Sequence, residues 1–120
     1  MIITDPHMLR KMDRALKEGN QLFDLNSILE NLRDGSMQGH IEGDTWAITQ
    51  VHDFPCKRTV NIVFVVGHIE ESLKLEAKVE AWAKEMGADL LTAVGREGWW
   101  EHRTPGWKKT GVLYSKELQS

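Results

Sequence analysis

A chain of 120 residues with 41% hydrophobic and 28% charged side chains has the balance of an ordinary globular domain and lacks the composition of disorder. Its 15 Lys and Arg against 18 Asp and Glu leave a net charge of −3, which excludes a general electrostatic pull toward nucleic acid or an anionic membrane. The single cysteine, Cys56, excludes an internal disulfide, and no apolar run approaches the ~20 residues of a membrane-spanning helix. Met1 to Pro6 lacks the basic start and apolar core of a secretory signal, so the expectation is one soluble domain over residues 1–120.

In chain order, Ile2-Ile3 is expected to form a short edge strand ended by Asp5-Pro6. Met8, Leu9, Met12 and Leu16 then recur at helical spacing as far as Gly19-Asn20. Leu25, Ile28, Leu29 and Leu32 share one face of a second helix that stops at Asp34-Gly35. Both helices are short and amphipathic, so they need a sheet to lie on. Met37 to Glu42 reads as a strand, and Gly43-Asp44 as a two-residue hairpin turn. Trp46 to His52 alternates, with Trp46 and Ile48 on one face and Ala47, Thr49 and Val51 on the other. Pro55-Cys56-Lys57 makes the next turn.

Arg58 to Gly95 organises the rest. Val60 to Val66 is a β-branched and aromatic run closed by Gly67, and the period then changes. Leu75, Val79, Trp82, Ala83 and Met86 form one helical stripe. Glu70 and Glu71 stand where a helix start favours negative charge, Ser72 is the candidate N-cap, and Gly87 the stop. Asp89 to Val94 reads as a second buried strand. Strand, helix and strand make a right-handed βαβ unit with parallel strands.

The segment Arg96 to Lys109 holds three of the five tryptophans. Trp99 and Trp107 are expected to turn inward and close the end of the sheet, with Arg96 holding the turn. Trp100 cannot follow its neighbour inward, which makes it the candidate partner contact, with Arg103 and Lys108 beside it. Glu97 and Glu101 dilute the positive charge and argue against nucleic acid. Gly111 to Leu118 reads as a final strand with Val112, Tyr114 and Lys116 on one face. His7, His40, His52, His68 and His102 lie on different elements without ligand spacing, so no metal site is expected. Cys56 sits beside Lys57 and Arg58 but lacks a paired base, the pattern of a bystander thiol.

The order strand, two helices, three-strand meander, helix, strand, short helix, strand resembles the GNAT superfamily of acyl-CoA N-acyltransferases across nearly the whole chain. The resemblance implies an α/β (α+β) domain: a mixed, mostly antiparallel sheet of about six strands with helices on both faces, the usual seventh strand missing. Gly106-Trp107 followed by a strand ending in Lys116-Glu117-Leu118 is similar to that family's Gly-Phe turn and final K-x-L strand. Gly95-Arg96-x-Gly98-Trp99 followed by Pro105-Gly106-Trp107-Lys108 resembles small GNAT-like proteins encoded in bacteriophage genomes, often near head and tail genes. That likeness implies other phage proteins as partners, and the virion or host cytoplasm as the location.

The departures from the family pattern bear on function. Active members carry Gln/Arg-x-x-Gly-x-Gly/Ala at the start of the third helix, where bare backbone N–H groups bind the pyrophosphate of coenzyme A. Here the turn is Gly67-His68-Ile69-Glu70-Glu71-Ser72, with a bulky residue and two carboxylates in place of bare backbone. A like-charge pair at ~5 Å and an effective dielectric of about 20 costs on the order of 3 kcal/mol. The same glutamates favour their own helix by ~0.3–1 kcal/mol each. His102 falls at the family's catalytic tyrosine, with nothing in the sequence assembled around it. The expectation is a non-enzymatic, protein-binding virion or assembly component with no cofactor. The alternative is an N-acetyltransferase that uses acetyl-CoA through a degenerate loop.

Overall fold

A computed structural model describes residues 5–18, 23–94 and 103–118. The two N-terminal stripes become α1, Pro6–Glu18, and α2, Leu25–Asp34. Proline opens α1 at a position where its missing N–H costs nothing. Asp24 caps α2, its carboxylate accepting from the Ser27 N–H at 2.8 Å while the Ser27 hydroxyl accepts from the Asp24 N–H at 3.1 Å. Gly35, with φ +86°, ends it. The strands are β1, Gln38–Glu42; β2, Thr45–Asp53; β3, Arg58–Val66; and β4, Leu90–Ala93, with α3, Ile69–Glu85, between β3 and β4.

The sheet order is β1-β2-β3-β4. The first two pairings are antiparallel, and β3 and β4 are parallel from Thr59 opposite Leu90 to Ile62 opposite Ala93. Register between β2 and β3 steps from Ile48 opposite Phe64 to Thr49 opposite Ile62, which leaves Val63 as an extra residue. Val63 and Phe64 consequently both pack toward α1 and α2, while Ile62 and Val65 pack toward α3.

Helices lie on both faces, each over its own core. Met8, Met12, Ile28, Leu32, Met37 and Ile48 are buried beneath α1 and α2. Ala47, Ile62, Leu75 and Val79 are buried beneath α3, with Leu91, Ala93 and Trp107 against them. The α3 stop is a Schellman motif: the Ala88 N–H donates to the Ala83 carbonyl and the Gly87 N–H to the Lys84 carbonyl, both at 3.0 Å. Arg58 ties this end to the sheet, its guanidinium donating to the Met86 carbonyl at 2.7 Å and to Asp53 at 2.6 Å. No helix among the described residues is long and apolar enough to cross a membrane.

The structure differs from the sequence reading at five places. Among the described residues the sheet has four strands rather than about six. Ile2-Ile3 lies outside those residues, and 111–118 runs exposed with no strand pairing. β4 is only half covered: Leu90 is 45% exposed, because no described strand lies outside it. His68 rather than Ser72 is the α3 N-cap residue, in extended conformation. Ser72 sits one turn in, buried, with its hydroxyl donating to the Ile69 carbonyl at 2.6 Å. Trp82 and Met86 flank the buried stripe instead of belonging to it, because the line facing the sheet runs Ser72, Leu75, Glu76, Val79, Ala83.

Candidate functional site

The start of α3 is built around one threonine. Gly67 has φ +136°, and a Cβ there would come within 2.6 Å of the Thr45 Cα, so backbone packing requires the glycine. The Thr45 hydroxyl accepts from the His68 N–H at 2.8 Å and donates to Glu71 Oε1 at 2.9 Å. The same carboxylate accepts from the Asp44 N–H at 3.3 Å. A Cβ on Gly43, whose φ is +59°, would overlap this carboxylate. Glu71 therefore reaches from the first turn of α3 to the β1–β2 turn, and a negative charge already stands over this helix start. Glu70 and Ile69 lie exposed beside it, Ile69 at 62%. Gly67, His68, Ile69, Glu70, Glu71 and Ser72 thus come together as one turn, which holds itself closed.

Deeper along the same face, β3 runs on from Val63 to Val66 without a partner in β4, which ends at Ala93. Arg103 enters the space between these residues and α3. Its guanidinium donates to Ser72 Oγ at 3.1 Å and Glu76 Oε1 at 3.3 Å. The two side chains are 9% and 7% exposed. The other Glu76 oxygen accepts from Trp107 Nε1 at 3.2 Å and from the Thr104 hydroxyl. About 10 Å³ remains between Arg103, Ala47, Ile62 and Leu75, room for a single water at most. The surface role expected of Arg103 does not fit this buried position: the guanidinium is a plug between sheet and helix. Lys108 is exposed. Arg96, Trp99, Trp100 and His102 lie outside the described residues.

Glu76 and Thr45 are the two residues that sequence reasoning passed over. A signal was present for the first, since Ser72, Glu76, Val79 and Ala83 fall at i, i+4, i+7 and i+11, the spacing of a buried stripe. An acid on such a line requires a buried donor.

No group of three or more His, Cys, Asp or Glu among the described residues is placed to hold a metal ion. His40 on β1 is half-buried, with its ring edge-on to Trp82 at 4.8 Å and Nε2 2.9 Å from Thr49 Oγ1. Burial holds the imidazole below its ordinary value of 6.5. The unfolded chain then binds this proton more readily, so the ring's contribution to stability is full above about 6.5 and falls as pH drops toward the lowered native value. Urea midpoints at pH 7 and pH 5 check this: His40→Gln is expected to lose less stability between them than the wild type.

No protein-family profile matches the sequence, and no curated protein does. Solved structures do match the fold. An aminoglycoside acetyltransferase, meta-AAC0020, from an uncultured soil metagenomic sample superimposes with a TM-score of 0.68 at 11% identity, covering 94% of this chain and 88% of its own. The wild-type protein TTHA1254 of Thermus thermophilus gives 0.60 at 19% identity, with 98% and 95% covered. The ribosomal-protein-alanine N-acetyltransferase of Brucella melitensis biovar Abortus 2308 gives 0.51 at 13%, with 90% and 94% covered. The chain has the GNAT acetyltransferase fold. At these identities the likeness concerns the fold and assigns no activity.

Proposed function

We propose that this GNAT-fold chain is a non-enzymatic, protein-binding component that takes no acyl-CoA. The observation that carries the reading is Glu71, whose carboxylate spans from α3 to Thr45 and Asp44. A pyrophosphate arriving at this turn meets Glu70 and Glu71 as like charges and must break both contacts of Glu71. Arg103 adds support, because with Ser72 and Glu76 it fills the space between α3 and the sheet. The partners proposed are other phage proteins, in the virion or host cytoplasm, following the resemblance of the 95–108 segment. Nucleic acid is not among them. The second reading, an N-acetyltransferase with a degenerate loop, draws on the fold neighbours named as acetyltransferases.

The turn itself supplies a test. Changing Ile69 to Gly, Glu70 to Ala and Glu71 to Gly removes the bulk and both charges. Calorimetric titration with coenzyme A is expected to show no heat of binding for the wild type and weak binding for the triple variant. Equal binding by both proteins would mean that this turn does not govern access.

A further inference from the structure

His40 lies in the seam between the edge strand β1 and α3, and the hydrogen bonds around it fix which ring nitrogen carries the proton. The Gln38 side chain donates through Nε2 to the Gly35 carbonyl at 3.1 Å, which turns its Oε1 toward Thr49. A threonine hydroxyl has a single proton, and that of Thr49 goes to this Oε1 at 3.1 Å. The Thr49 oxygen therefore accepts from His40 Nε2–H, 2.9 Å away. The bonds run in one direction, from His40 through Thr49 and Gln38 to Gly35 just past α2. The neutral ring is thus bare at Nδ1, and among the described residues nothing bonds that nitrogen.

We propose that His40 is an acid-triggered latch on this seam: protonation at Nδ1 releases the ring, and β1 opens from α3 while the rest of the sheet stays folded. The imidazolium has two donors, one of them without an acceptor, at a half-buried position. Release into water satisfies both. It breaks the bond to Thr49, whose side chain is fully buried, and the edge-on contact with Trp82 at 4.8 Å. Burial holds the folded ring below its ordinary 6.5, so the released ring binds the proton more readily and acid favours opening. With one proton gained, the open population rises by up to about tenfold per pH unit, from about 6.5 down to the lowered native value.

β1 is the strand free to respond. Among the described residues it pairs with β2 alone, whereas β2 is held on its other side by β3. The charged neighbours of the ring come from two elements. Glu42 follows His40 on the same side of β1 and pairs with Lys78 of α3 at 3.0 Å. Lys78 and Glu85 lie about one turn to either side of Trp82 on α3. β2 turns Ala47, Thr49 and Val51 to this side and adds no charge. Glu42 and Lys78 offset one another, which leaves the imidazole as the group of the seam whose ordinary titration falls between pH 5 and 8. Opening bares Trp82, an aromatic of the kind that anchors partner contacts.

Hydrogen exchange of the full chain at pH 7 and pH 5, read as protection factors, is the first measurement. Residues 38–42 and the α3 turn around Trp82 are expected to lose protection several-fold in acid, while residues 60–66 of β3 keep theirs. His40→Gln retains a donor for Thr49 but does not titrate, so its seam should stay closed at both pH values. The second measurement needs no change at His40. Acrylamide quenching of the wild type, less that of Trp82→Phe, isolates the Trp82 signal, which should become more accessible between pH 7 and pH 5. Uniform loss of protection across the sheet, Trp82 quenching that does not change with pH, or the same acid response in His40→Gln would each overturn the proposal.

Discussion

Glu76→Leu is expected to cost the native state ~3–5 kcal/mol, because it removes the carboxylate paired with the buried Arg103 guanidinium. Trp107 Nε1 and the Thr104 hydroxyl lose their acceptor in the same step. Much of the loss comes from breaking a buried charge pair, so removing the second charge as well should return part of it. Glu76→Leu with Arg103→Leu removes both charges from the site and is expected to melt well above the single variant. Thermal or urea unfolding of the two singles and the double decides the matter. If Glu76→Leu unfolds like the wild type, the 103–107 segment is not held by this carboxylate.

Gly67→Ala carries the other large effect. A methyl group there meets the Thr45 backbone, which cannot move without prising β2 from β3 at their ends. The φ of +136° is itself unfavourable for any residue with a Cβ, by ~1–3 kcal/mol. Together with overpacking of ~1–3 kcal/mol, the expected loss is about 2–6 kcal/mol. Gly43→Ala is the contrast. Its new methyl meets the tip of Glu71, which can swing aside, so the cost should stay near ~1–2 kcal/mol while the Glu71 bridge opens. Denaturant midpoints that rank the two variants the other way would contradict this description of the turn.

Period and punctuation made most of the fold legible. The run Val60 to Val66, the glycines at 67 and 87 and the change of period between them located β3, α3 and the parallel return to β4. Gly43-Asp44 and Gly35 located a hairpin and a helix stop for the same reason: each marks a backbone conformation that few residues adopt. What stayed hidden depends on partners distant in sequence. Ser72 looked like a cap because a hydroxyl near a helix start usually bonds an amide, but here it serves the Ile69 carbonyl and Arg103, 31 residues away. Arg103 looked like a surface charge because nothing local identifies Glu76 as its partner. For the segment 111–118, alternation describes a strand without naming the edge that receives it. The two glutamates were legible as acids in the first turn of α3, and the structure adds that one of them is bonded across to the neighbouring turn.

The central claim, that this GNAT-fold chain takes no acyl-CoA, is tested most directly by melting the wild-type protein with and without sub-millimolar acetyl-CoA. A ligand at about a hundred times its dissociation constant stabilises the native state by ~2.7 kcal/mol, several degrees for a domain of this size. The account predicts superimposable melting curves. A rise of several degrees that saturates with acetyl-CoA would contradict it and favour the N-acetyltransferase.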